Sequence, residues 1–407
     1  MVGSKFAIVG GGMVAGYAAK QFVEMGVRSG DLTIFCADTS IPYERPPLSK
    51  SFLAGKDTEE SVRINPADFY RDHGIDILLN SQVTRIDTDR KRVALQDGGE
   101  FAFEKLIIAT GSRARTLTIP GADLAGVHYL RTLDDSKAIR DHAGEVKRAV
   151  VIGGGFIGME VASVLAQKGI ETTMVIREDR VWKQFFTPEM STFFEKHFSE
   201  RGVGFRRGAA IRQLRGHGKV ESVELGDGTA ISCELVVAGI GAEPVTDLVS
   251  GSGMEVTNGV VVNEYLETKA AGILAAGDIA NYPDVLFGKR RRVEHWDNAV
   301  SQGQHCAKAL MGDRAPFRHV PYFFSDVFDL SYEFWGDPEG ATRVAYRGDP
   351  ASSSFSAWWV KDTRLVAAFV MNRPGEERDL APAWIEKHQN VDAAKLANNP
   401  NPASASA

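Results

Sequence analysis

The chain has 407 residues, more than a single hydrophobic core usually fills, so two or three domains are expected. Its 47 basic and 53 acidic residues give a formal net charge of -6, which provides no basic excess for a phosphate backbone and argues against nucleic acid as the main partner. No apolar run reaches membrane-spanning length, and a strand pattern begins at Lys5, which leaves no room for a signal peptide; we therefore expect a cytoplasmic protein with no membrane partner.

One order of elements occurs twice in the chain: a short apolar strand, three glycines, a helix and a second strand. A β-α-β unit with parallel strands requires this order, so two nucleotide-type folds are predicted. The strands and helices of the first repeat are 5–9, 14–25 and 31–36, and those of the second are 149–152, a helix through 161–168, and 171–176.

The later segments have other residue patterns. The strands 106–111 and 235–241 both end in small residues and glycine. From about Phe317 an aromatic-rich alternation follows, with a turn at Lys361-Asp362, and predicts a smaller, largely β third domain. The tail 398–407 is rich in Asn, Pro, Ala and Ser, has nothing to bury, and is expected to be disordered.

The first glycine-rich turn, Gly10 to Ala15, matches G-x-G-x-x-A. In this motif Gly10 allows a tight turn, and Gly12 lets the backbone approach a pyrophosphate at the helix N-terminus. An acidic residue after the second strand binds the ribose hydroxyls, and Asp38 has that position. The order of strand, turn, helix, strand and acid predicts a dinucleotide site.

The second glycine-rich turn is a complete G-x-G-x-x-G, with Gly153, Gly155 and Gly158, and Glu160 follows two residues later. The next strand ends in a run of mixed charge. There Glu178 suits a free 2′-hydroxyl, whereas its neighbouring arginines suit a 2′-phosphate. This pattern favours NADH slightly and leaves NADPH open.

Two dinucleotide sites exceed the need of a simple dehydrogenase, which requires one nicotinamide site beside its substrate. A flavin relay needs both sites, because hydride passes from the nicotinamide to FAD, which can then release electrons singly. We therefore expect FAD and either NADH or NADPH as cofactors.

The segment Pro42 to Lys50, Pro-Tyr-Glu-Arg-Pro-Pro-Leu-Ser-Lys, resembles the P-Y-x-R-P-x-L-S-K segment of FAD-dependent ferredoxin, rubredoxin and putidaredoxin reductases and the related monodehydroascorbate reductases. The resemblance extends over nearly the whole chain. It implies that Arg45 and Lys50 contact FAD, with Lys50 near the reactive N5 end and paired with Glu160.

The same resemblance implies further cofactor contacts. Arg113 is expected to neutralise the pyrophosphate, Asp278 to hold the ribityl chain, and Phe324 to cover the dimethylbenzene side of the flavin. An aromatic residue such as Trp296 or Phe324 also fits an ordinary core position. The full set is Val83, Ala109, Thr110, Gly111, Arg113, Gly241, Gly277, Asp278, Glu294, His295, Trp296 and Phe324.

The three cysteines, Cys36, Cys233 and Cys306, are far apart and form neither a C-x-x-C pair nor a metal-ligand spacing. Related disulfide reductases carry a redox-active cysteine pair in the early segment, which this chain lacks. Buried structural thiols are expected, with no metal site and no dithiol mechanism.

The resemblance implies an α/β layout of two Rossmann-like dinucleotide-binding domains and a C-terminal α+β interface domain. The FAD domain would comprise residues 1–115 and 245–316, the NAD(P) domain 116–244, and the interface domain 317–397. The expected function is an NAD(P)H reductase that passes electrons to a ferredoxin or rubredoxin-type protein, as a monomer or homodimer. The basic run Lys289 to Arg292 fits either a solvated loop or a surface for an acidic redox partner.

Three other functions stay open from the sequence. One is reduction of monodehydroascorbate, a small-molecule radical, because Ala15 to Ala19, the Pro42 to Pro46 string and Glu294-His295 resemble the monodehydroascorbate reductase branch. A redox sensor similar to apoptosis-inducing factors would bind NADH and turn over slowly. A peroxide or NADH oxidase normally uses a cysteine near the flavin, and Cys36 lies too many residues before Arg45 and Lys50 to favour it.

Overall fold

A computed structural model describes residues 3–398 and 402–405 of the chain. The chain divides into two compact units, the first with residues 1–45, 59–113 and 243–321, and the second with residues 46–58, 114–242 and 322–407. In chain order the α-helices are α1 Met13–Glu24, α2 Ala67–Asp72, α3 Leu133–Ala143, α4 Phe156–Gln167, α5 Pro188–Ser199, α6 Trp296–Leu310, α7 Gly375–Glu386 and α8 Ala393–Asn398, and the 3-10 turns are Pro46–Ser49, Asp247–Val249, Gly277–Ile279 and Pro402–Ala405.

The strands are also numbered in chain order. They are β1 Gly3–Val9, β2 Leu32–Phe35, β3 Asp76–Leu78, β4 Val83–Asp87, β5 Arg92–Leu95, β6 Glu100–Ile108, β7 Ser112–Ala114, β8 Val127–His128, β9 Arg148–Ile152, β10 Glu171–Val175, β11 Val203–Arg206, β12 Ile211–Arg215, β13 Ser222–Leu225, β14 Ala230–Ser232, β15 Leu235–Ala238, β16 Ala242–Pro244, β17 Val256–Thr257, β18 Gly259–Val261, β19 Ile273–Ala275, β20 Ala280–Asp284, β21 Lys289–Arg291, β22 Tyr322–Val327, β23 Leu330–Gly336, β24 Arg343–Gly348, β25 Phe355–Lys361 and β26 Arg364–Met371.

The first unit is built on a sheet in the order β3-β2-β1-β6-β5-β4, with β19 also paired to β6. The strands β3, β2, β1, β6 and β19 run parallel. The last four residues of β1 are apolar and buried, as expected for a parallel strand covered on both faces. Helix α1 follows β1 directly and packs on α6, where a Cβ on Gly303 would lie 2.7 Å from the Val14 carbonyl oxygen. A smaller sheet, β17-β18-β20-β21, belongs to the same unit.

The second unit contains a parallel sheet in the order β11-β10-β9-β15-β8, with α4 between β9 and β10. An antiparallel sheet, β12-β13-β14, completes this part. Both predicted repeats of strand, glycine turn, helix and strand are therefore confirmed, and with them the predicted α/β fold class.

The C-terminal part of the second unit is an antiparallel sheet in the order β22-β23-β26-β25-β24, with α7 and α8 beside it. The predicted turn at Lys361-Asp362 connects β25 and β26, and Asp362 has a φ of 57°. The largely β character predicted for this region is confirmed.

Two expectations need correction. At Pro402–Ala405 the structure has a 3-10 turn rather than a disordered tail, because Ala405 is buried and its carbonyl accepts the Asp392 N–H at 3.0 Å; residues 399–401 and 406–407 lie outside the described chain. The basic run is not a solvated loop: Lys289–Arg291 form β21, paired antiparallel with β20, and Arg291 forms an ion pair with buried Asp284. Exposed Arg290 donates to the carbonyls of Val262 and Asn281 in the same unit.

Within residues 3–398 and 402–405, no helix combines the length and hydrophobicity that crossing a bilayer demands.

A buried ionic network joins the C-terminal sheet to its helices. Glu377 on α7 is 2% exposed, and its carboxylate accepts hydrogen bonds from Arg347 at 3.0 Å, Arg373 at 2.8 Å and Ser356 at 2.5 Å. Arg347 also donates to the Leu396 carbonyl on α8 at 2.5 Å. The network therefore fixes both helices to the sheet.

Removing this carboxylate should be strongly destabilising, because the buried positive charge of Arg347 loses its compensating negative charge. We expect Glu377→Ala to lower the free energy of unfolding by about 3–5 kcal/mol, measured by urea denaturation, whereas Glu200→Ala at an exposed ion pair should change it by less than about 1 kcal/mol. Burial raises the pKa of Glu377, but Arg373, Ser356 and Arg347 together lower it below the ordinary value of 4.5. A carboxylate with a lowered folded-state pKa stabilises above its unfolded pKa, so this stability should decline only as the pH falls below about 4.5. Equal urea midpoints for the two variants would contradict the prediction.

Candidate functional sites

The first glycine-rich turn forms an open cradle at the start of α1. Gly10 has a φ of 118°, and a Cβ there would lie 2.1 Å from the Ala109 carbonyl oxygen, so only glycine fits. Gly12 caps α1 without a side-chain hydrogen bond, and a Cβ on Gly12 would meet only Arg45 Nη2, at 3.9 Å. The first turn of α1 holds no acidic residue. Uncapped N–H groups and the Arg45 guanidinium therefore face one open space, which suits a pyrophosphate.

Arg45 and Asp38 belong to one hydrogen-bonded chain. Arg45 Nη1 donates to the Tyr43 hydroxyl at 3.0 Å, and that hydroxyl donates to Asp38 Oδ2 at 2.8 Å. The guanidinium also lies over the Tyr43 ring, 4.6 Å from its centroid. The structure thus brings together Arg45, which the resemblance assigned to FAD, and Asp38, which the sequence assigned to the ribose hydroxyls.

Asp278 lies close to the same cradle. It is buried and accepts the Ser112 hydroxyl at 2.7 Å. The preceding Gly277 has a φ of 78°, donates its N–H to Gln302 Oε1 at 2.7 Å, and would place a Cβ 2.7 Å from Val14 Cγ2. Gln302 Nε2 is buried and has no hydrogen-bond partner in the described residues. A buried amide donor in this position fits a polar group that is bound beside α1.

Glu44 connects the Pro42 to Lys50 segment to two aromatic side chains. Trp296, the first residue of α6, donates its indole N–H to Glu44 Oε2 at 2.5 Å, and the Tyr17 hydroxyl donates to Oε1 at 2.6 Å. Neither partner was predicted, although Glu44 and Trp296 both lie in motifs that the sequence indicated. Trp296 is therefore held by a polar bond as well as by packing.

The second glycine-rich turn repeats the geometry of the first. Gly153 has a φ of 111°, and a Cβ there would lie 2.2 Å from the Gly239 carbonyl oxygen. Gly158 allows close packing, since its Cβ would lie 2.1 Å from the Gly153 carbonyl oxygen. A Cβ on Gly155 would meet nothing within 4 Å, and this residue caps α4 without a side-chain bond. The turn is tight at its first and third glycines and open at its second, as a dinucleotide site requires.

The charged residues after β10 lie where they were predicted. Glu178 and Arg177 are exposed, while Asp179 forms ion pairs with Lys183 at 3.0 Å and Arg180 at 3.6 Å. Both an acid and a base are therefore available at the strand end, and the geometry fits either NADH or NADPH.

Lys50 and Glu160 form an ion pair in the second unit, with Lys50 Nζ 3.6 Å from Glu160 Oε1, which confirms the predicted pairing. Glu160 is buried and also accepts hydrogen bonds from the hydroxyls of Ser49 and Ser325. Burial raises the pKa of Glu160, and Lys50 and the two hydroxyls only partly oppose that rise. The Lys50 ammonium also lies 4.2 Å from the centroid of the Phe324 ring.

Other predicted residues have different surroundings. Arg113 is exposed and forms ion pairs with Glu243 at 2.6 Å and Asp247 at 2.7 Å, so its charge is already compensated and its assignment to a pyrophosphate is weakened. Glu294 accepts a hydrogen bond from Arg292 at 2.6 Å.

The remaining predicted residues support the two folds. Ala15 and Val83 lie in the buried core of the first unit. The Ala109 N–H donates to the Val9 carbonyl at 2.8 Å, and the Thr110 hydroxyl donates to the Val245 carbonyl at 2.8 Å. Gly111 and Gly241 have positive φ values of 66° and 103°, and His295 is the N-cap residue of α6.

All three thiols lie in the described chain, and each is buried and free of a disulfide. Burial raises the pKa of Cys36 to about 11 and that of Cys233 to about 12, and it raises the pKa of Cys306 further. Protonated, buried thiols are poor nucleophiles. The expectation of structural thiols is confirmed.

Comparisons with known proteins match the whole described architecture. Residues 4–303 match the family model described as pyridine nucleotide-disulphide oxidoreductase, and residues 322–404 match the model described as reductase C-terminal. A monodehydroascorbate reductase from Solanum lycopersicum is 33% identical over 401 residues, which cover 92% of each chain. A probable ferredoxin reductase from Castellaniella defragrans is 34% identical over 392 residues, which cover 95% of this chain and 96% of the relative. A chain of the solved covalent putidaredoxin reductase–putidaredoxin complex is 33% identical, with a TM-score of 0.94 over 100% of this chain and 99% of that chain.

Proposed function

We propose that this chain, a member of the pyridine nucleotide-disulphide oxidoreductase family, passes electrons from NAD(P)H through FAD to a ferredoxin-type protein. Its residues 322–404 match the reductase C-terminal model. By family membership the chain is an FAD-dependent NAD(P)H oxidoreductase. The observation that carries the proposal is the pair of open glycine cradles, with Gly12 in one unit and Gly155 in the other. FAD, when bound, accepts a hydride and can release its electrons one at a time.

The cofactor assignment is part of the proposal. We assign FAD to residues 1–115 and 245–316, because that cradle also offers Arg45, Asp38 and Asp278. We assign NADH or NADPH to residues 116–244, because the mixed charges around Glu178 at the end of β10 suit the adenosine ribose. Residues 317–397 then form the interface domain.

The burial of all three thiols supports direct transfer of electrons from FAD to the acceptor. A disulfide relay requires two accessible cysteines that can pair. Here Cys36, Cys233 and Cys306 are buried, and their pKa values are raised by that burial. The acceptor therefore takes electrons from the flavin itself.

The acceptor class is supported by two of the relatives. One is named a probable ferredoxin reductase, and one solved structure holds putidaredoxin reductase with putidaredoxin. The alternative acceptor is the monodehydroascorbate radical, which the tomato relative's name indicates. A cytoplasmic location completes the proposal, since three unpaired thiols suit a reducing compartment.

Acceptor assays distinguish these two functions. The holoenzyme, reduced by NADH or NADPH, is mixed in parallel with an oxidised [2Fe–2S] ferredoxin, a rubredoxin and enzymatically generated monodehydroascorbate. The proposal predicts that an iron–sulfur or rubredoxin-type protein gives the higher kcat/KM. A higher value for monodehydroascorbate would assign the chain to the alternative.

Lys50 is expected to contribute to hydride transfer. We predict that Lys50→Ala keeps FAD but slows flavin reduction by NAD(P)H by about 10–100-fold, because a positive charge placed near the reacting atoms is lost. Stopped-flow absorbance measures the rate, and Lys56→Ala is the matched control, because Lys56 is an exposed lysine within residues 46–58 of the same unit. If the rate of Lys50→Ala equals that of wild type, Lys50 has no role in the reaction.

A further inference from the structure

The polar cluster around Glu160 contains more acid than base. Lys50 Nζ lies 3.6 Å from Glu160 Oε1 and 3.5 Å from Asp326 Oδ2. Two carboxylates thus share one ammonium group. With all three groups ionised, their summed charge is minus one, so together they can take up one proton and become neutral.

The end of the cluster at Glu160 is largely shielded from solvent. The side chains of Glu160 and Lys50 are 6% and 12% exposed. Tyr332 is fully buried beside them. The neutral phenol stays protonated, because burial and the nearby Glu160 and Asp326 raise the pKa of Tyr332 well above its ordinary value. Burial disfavours a carboxylate anion, so a proton entering the cluster resides on Glu160.

The outer end reaches solvent. The side chain of Asp326 is 51% exposed, so its carboxylate exchanges protons with water. Lys50 stands between the exposed and the buried carboxylate. Both of its distances lie slightly beyond a hydrogen bond, and a small rotation of its flexible four-carbon stem shortens either one.

We infer that Glu160, Lys50 and Asp326 form a path that releases one proton to solvent in each reaction cycle. The inference rests on the proposed function and completes its proton balance. In that function, NAD(P)H and two oxidised carriers give NAD(P)+, two reduced carriers and one proton. The hydride brings two electrons and one proton, the carriers take the two electrons, and the proton is left.

The residues move this proton in three balanced transfers. A Glu160 carboxylate oxygen would take up the proton that bound FAD gives up when the carriers oxidise it. Lys50 Nζ gives one of its protons to Asp326 and receives the proton held by Glu160, which restores the ammonium. Asp326 then releases its proton to water. Asp326 acts through Lys50 and is a positioning residue in this path.

A static measurement tests the proton site without turnover. Infrared difference spectra of the oxidised holoenzyme between acidic and neutral pH should show a carboxylic acid C=O band that Glu160→Gln removes. Asp326→Asn should move its midpoint to lower pH, because Asp326 raises the pKa of Glu160. Asp329→Asn, an exposed acid nearby that pairs with His197 and Arg201, should leave the midpoint unchanged. Identical spectra for wild type and Glu160→Gln would overturn the inference.

A kinetic measurement tests the path. Holoenzyme reduced by NADH or NADPH is mixed with ferricyanide, which takes an electron without a proton, while flavin absorbance and a pH-indicator dye are followed together. Proton release should be at least about tenfold slower in Asp326→Asn and Glu160→Gln than in wild type, and unchanged in Asp329→Asn. Asp326→Glu keeps the carboxylate and should restore the rate.

The outcomes distinguish failure of the proton path from failure of the proposed function. Proton release that is equally fast in wild type, Asp326→Asn and Glu160→Gln overturns the proton path and leaves the proposed function standing. A flavin that neither nucleotide reduces contradicts the proposed function itself.

Discussion

Gly155→Val is expected to abolish reduction by NAD(P)H in a protein that stays folded and yellow. The backbone at Gly155 is extended, with a φ of -88° and a ψ of -170°, and a Cβ there would meet nothing within 4 Å. Valine fits that conformation without strain, and its two methyl groups would occupy the space in front of α4. Because a pyrophosphate needs that space, the nucleotide should be excluded while the fold is kept.

The expected size of this effect is a loss of affinity for NADH and NADPH of about 100-fold or more, equal to about 2.8 kcal/mol. The free energy of unfolding should fall by no more than about 2 kcal/mol, because valine is a poorer N-cap residue than glycine but its Cβ meets no neighbouring atom. Anaerobic titration of the flavin absorbance measures the affinity. Gly153→Ala is the contrasting variant: its methyl would lie 2.2 Å from a carbonyl oxygen, so it should lose stability as well as binding.

Gly12→Val is expected to yield a protein that does not take up FAD. The surroundings of Gly12 match those of Gly155: φ is -93°, and a Cβ would have only the Arg45 guanidinium near it, at 3.9 Å. The valine methyl groups would separate the α1 N-terminus from Arg45, in the space assigned to the pyrophosphate. Protein stripped of flavin and reconstituted with FAD should therefore remain colourless, while wild type and Gly155→Val regain their flavin spectrum.

These two variants also test the assignment of the cradles. If Gly155→Val is colourless and Gly12→Val is yellow but unreactive toward NAD(P)H, the FAD and nicotinamide sites have been exchanged. If both variants bind FAD and react as wild type does, neither turn holds a dinucleotide.

Local chemistry made much of the fold predictable. The apolar strands at Lys5 to Val9 and Ala149 to Ile152, each followed by glycines, lie within one or two residues of β1 and β9. The helix predicted at Val14 to Met25 is α1, displaced by one residue at each end. Strand, tight turn and helix are encoded by neighbouring residues, so the sequence pattern suffices to find them.

Long-range partners were not predictable in the same way. The pairing of Lys50 with Glu160 came from a motif resemblance, but Ser325 and Asp326 lie more than 160 residues along the chain from Glu160, and no local pattern connects them. Arg113 shows the same dependence on distant residues: its motif predicts a phosphate contact, and its ion-pair partners in the structure are Glu243 and Asp247. The partners of a charged side chain depend on tertiary contacts that spacing alone does not specify.

The tail and the basic run show a further limit. Composition predicted a disordered tail with nothing to bury, yet the burial of Ala405 and one backbone hydrogen bond to Asp392 give residues 402–405 a turn. Arg291 was read as a surface charge, but its acidic partner, Asp284, comes from the adjacent strand β20. A run of like charges is therefore ambiguous until the neighbouring strand is known.

The most direct test of the central claim is the absorbance spectrum of the purified protein, reconstituted with FAD and titrated anaerobically with NADH and with NADPH. Two dinucleotide sites in one reductase predict flavin bands that bleach with one equivalent of the preferred nucleotide per flavin. A protein that takes up no FAD, or whose flavin bands neither nucleotide bleaches, would contradict the proposed electron transfer at its first step.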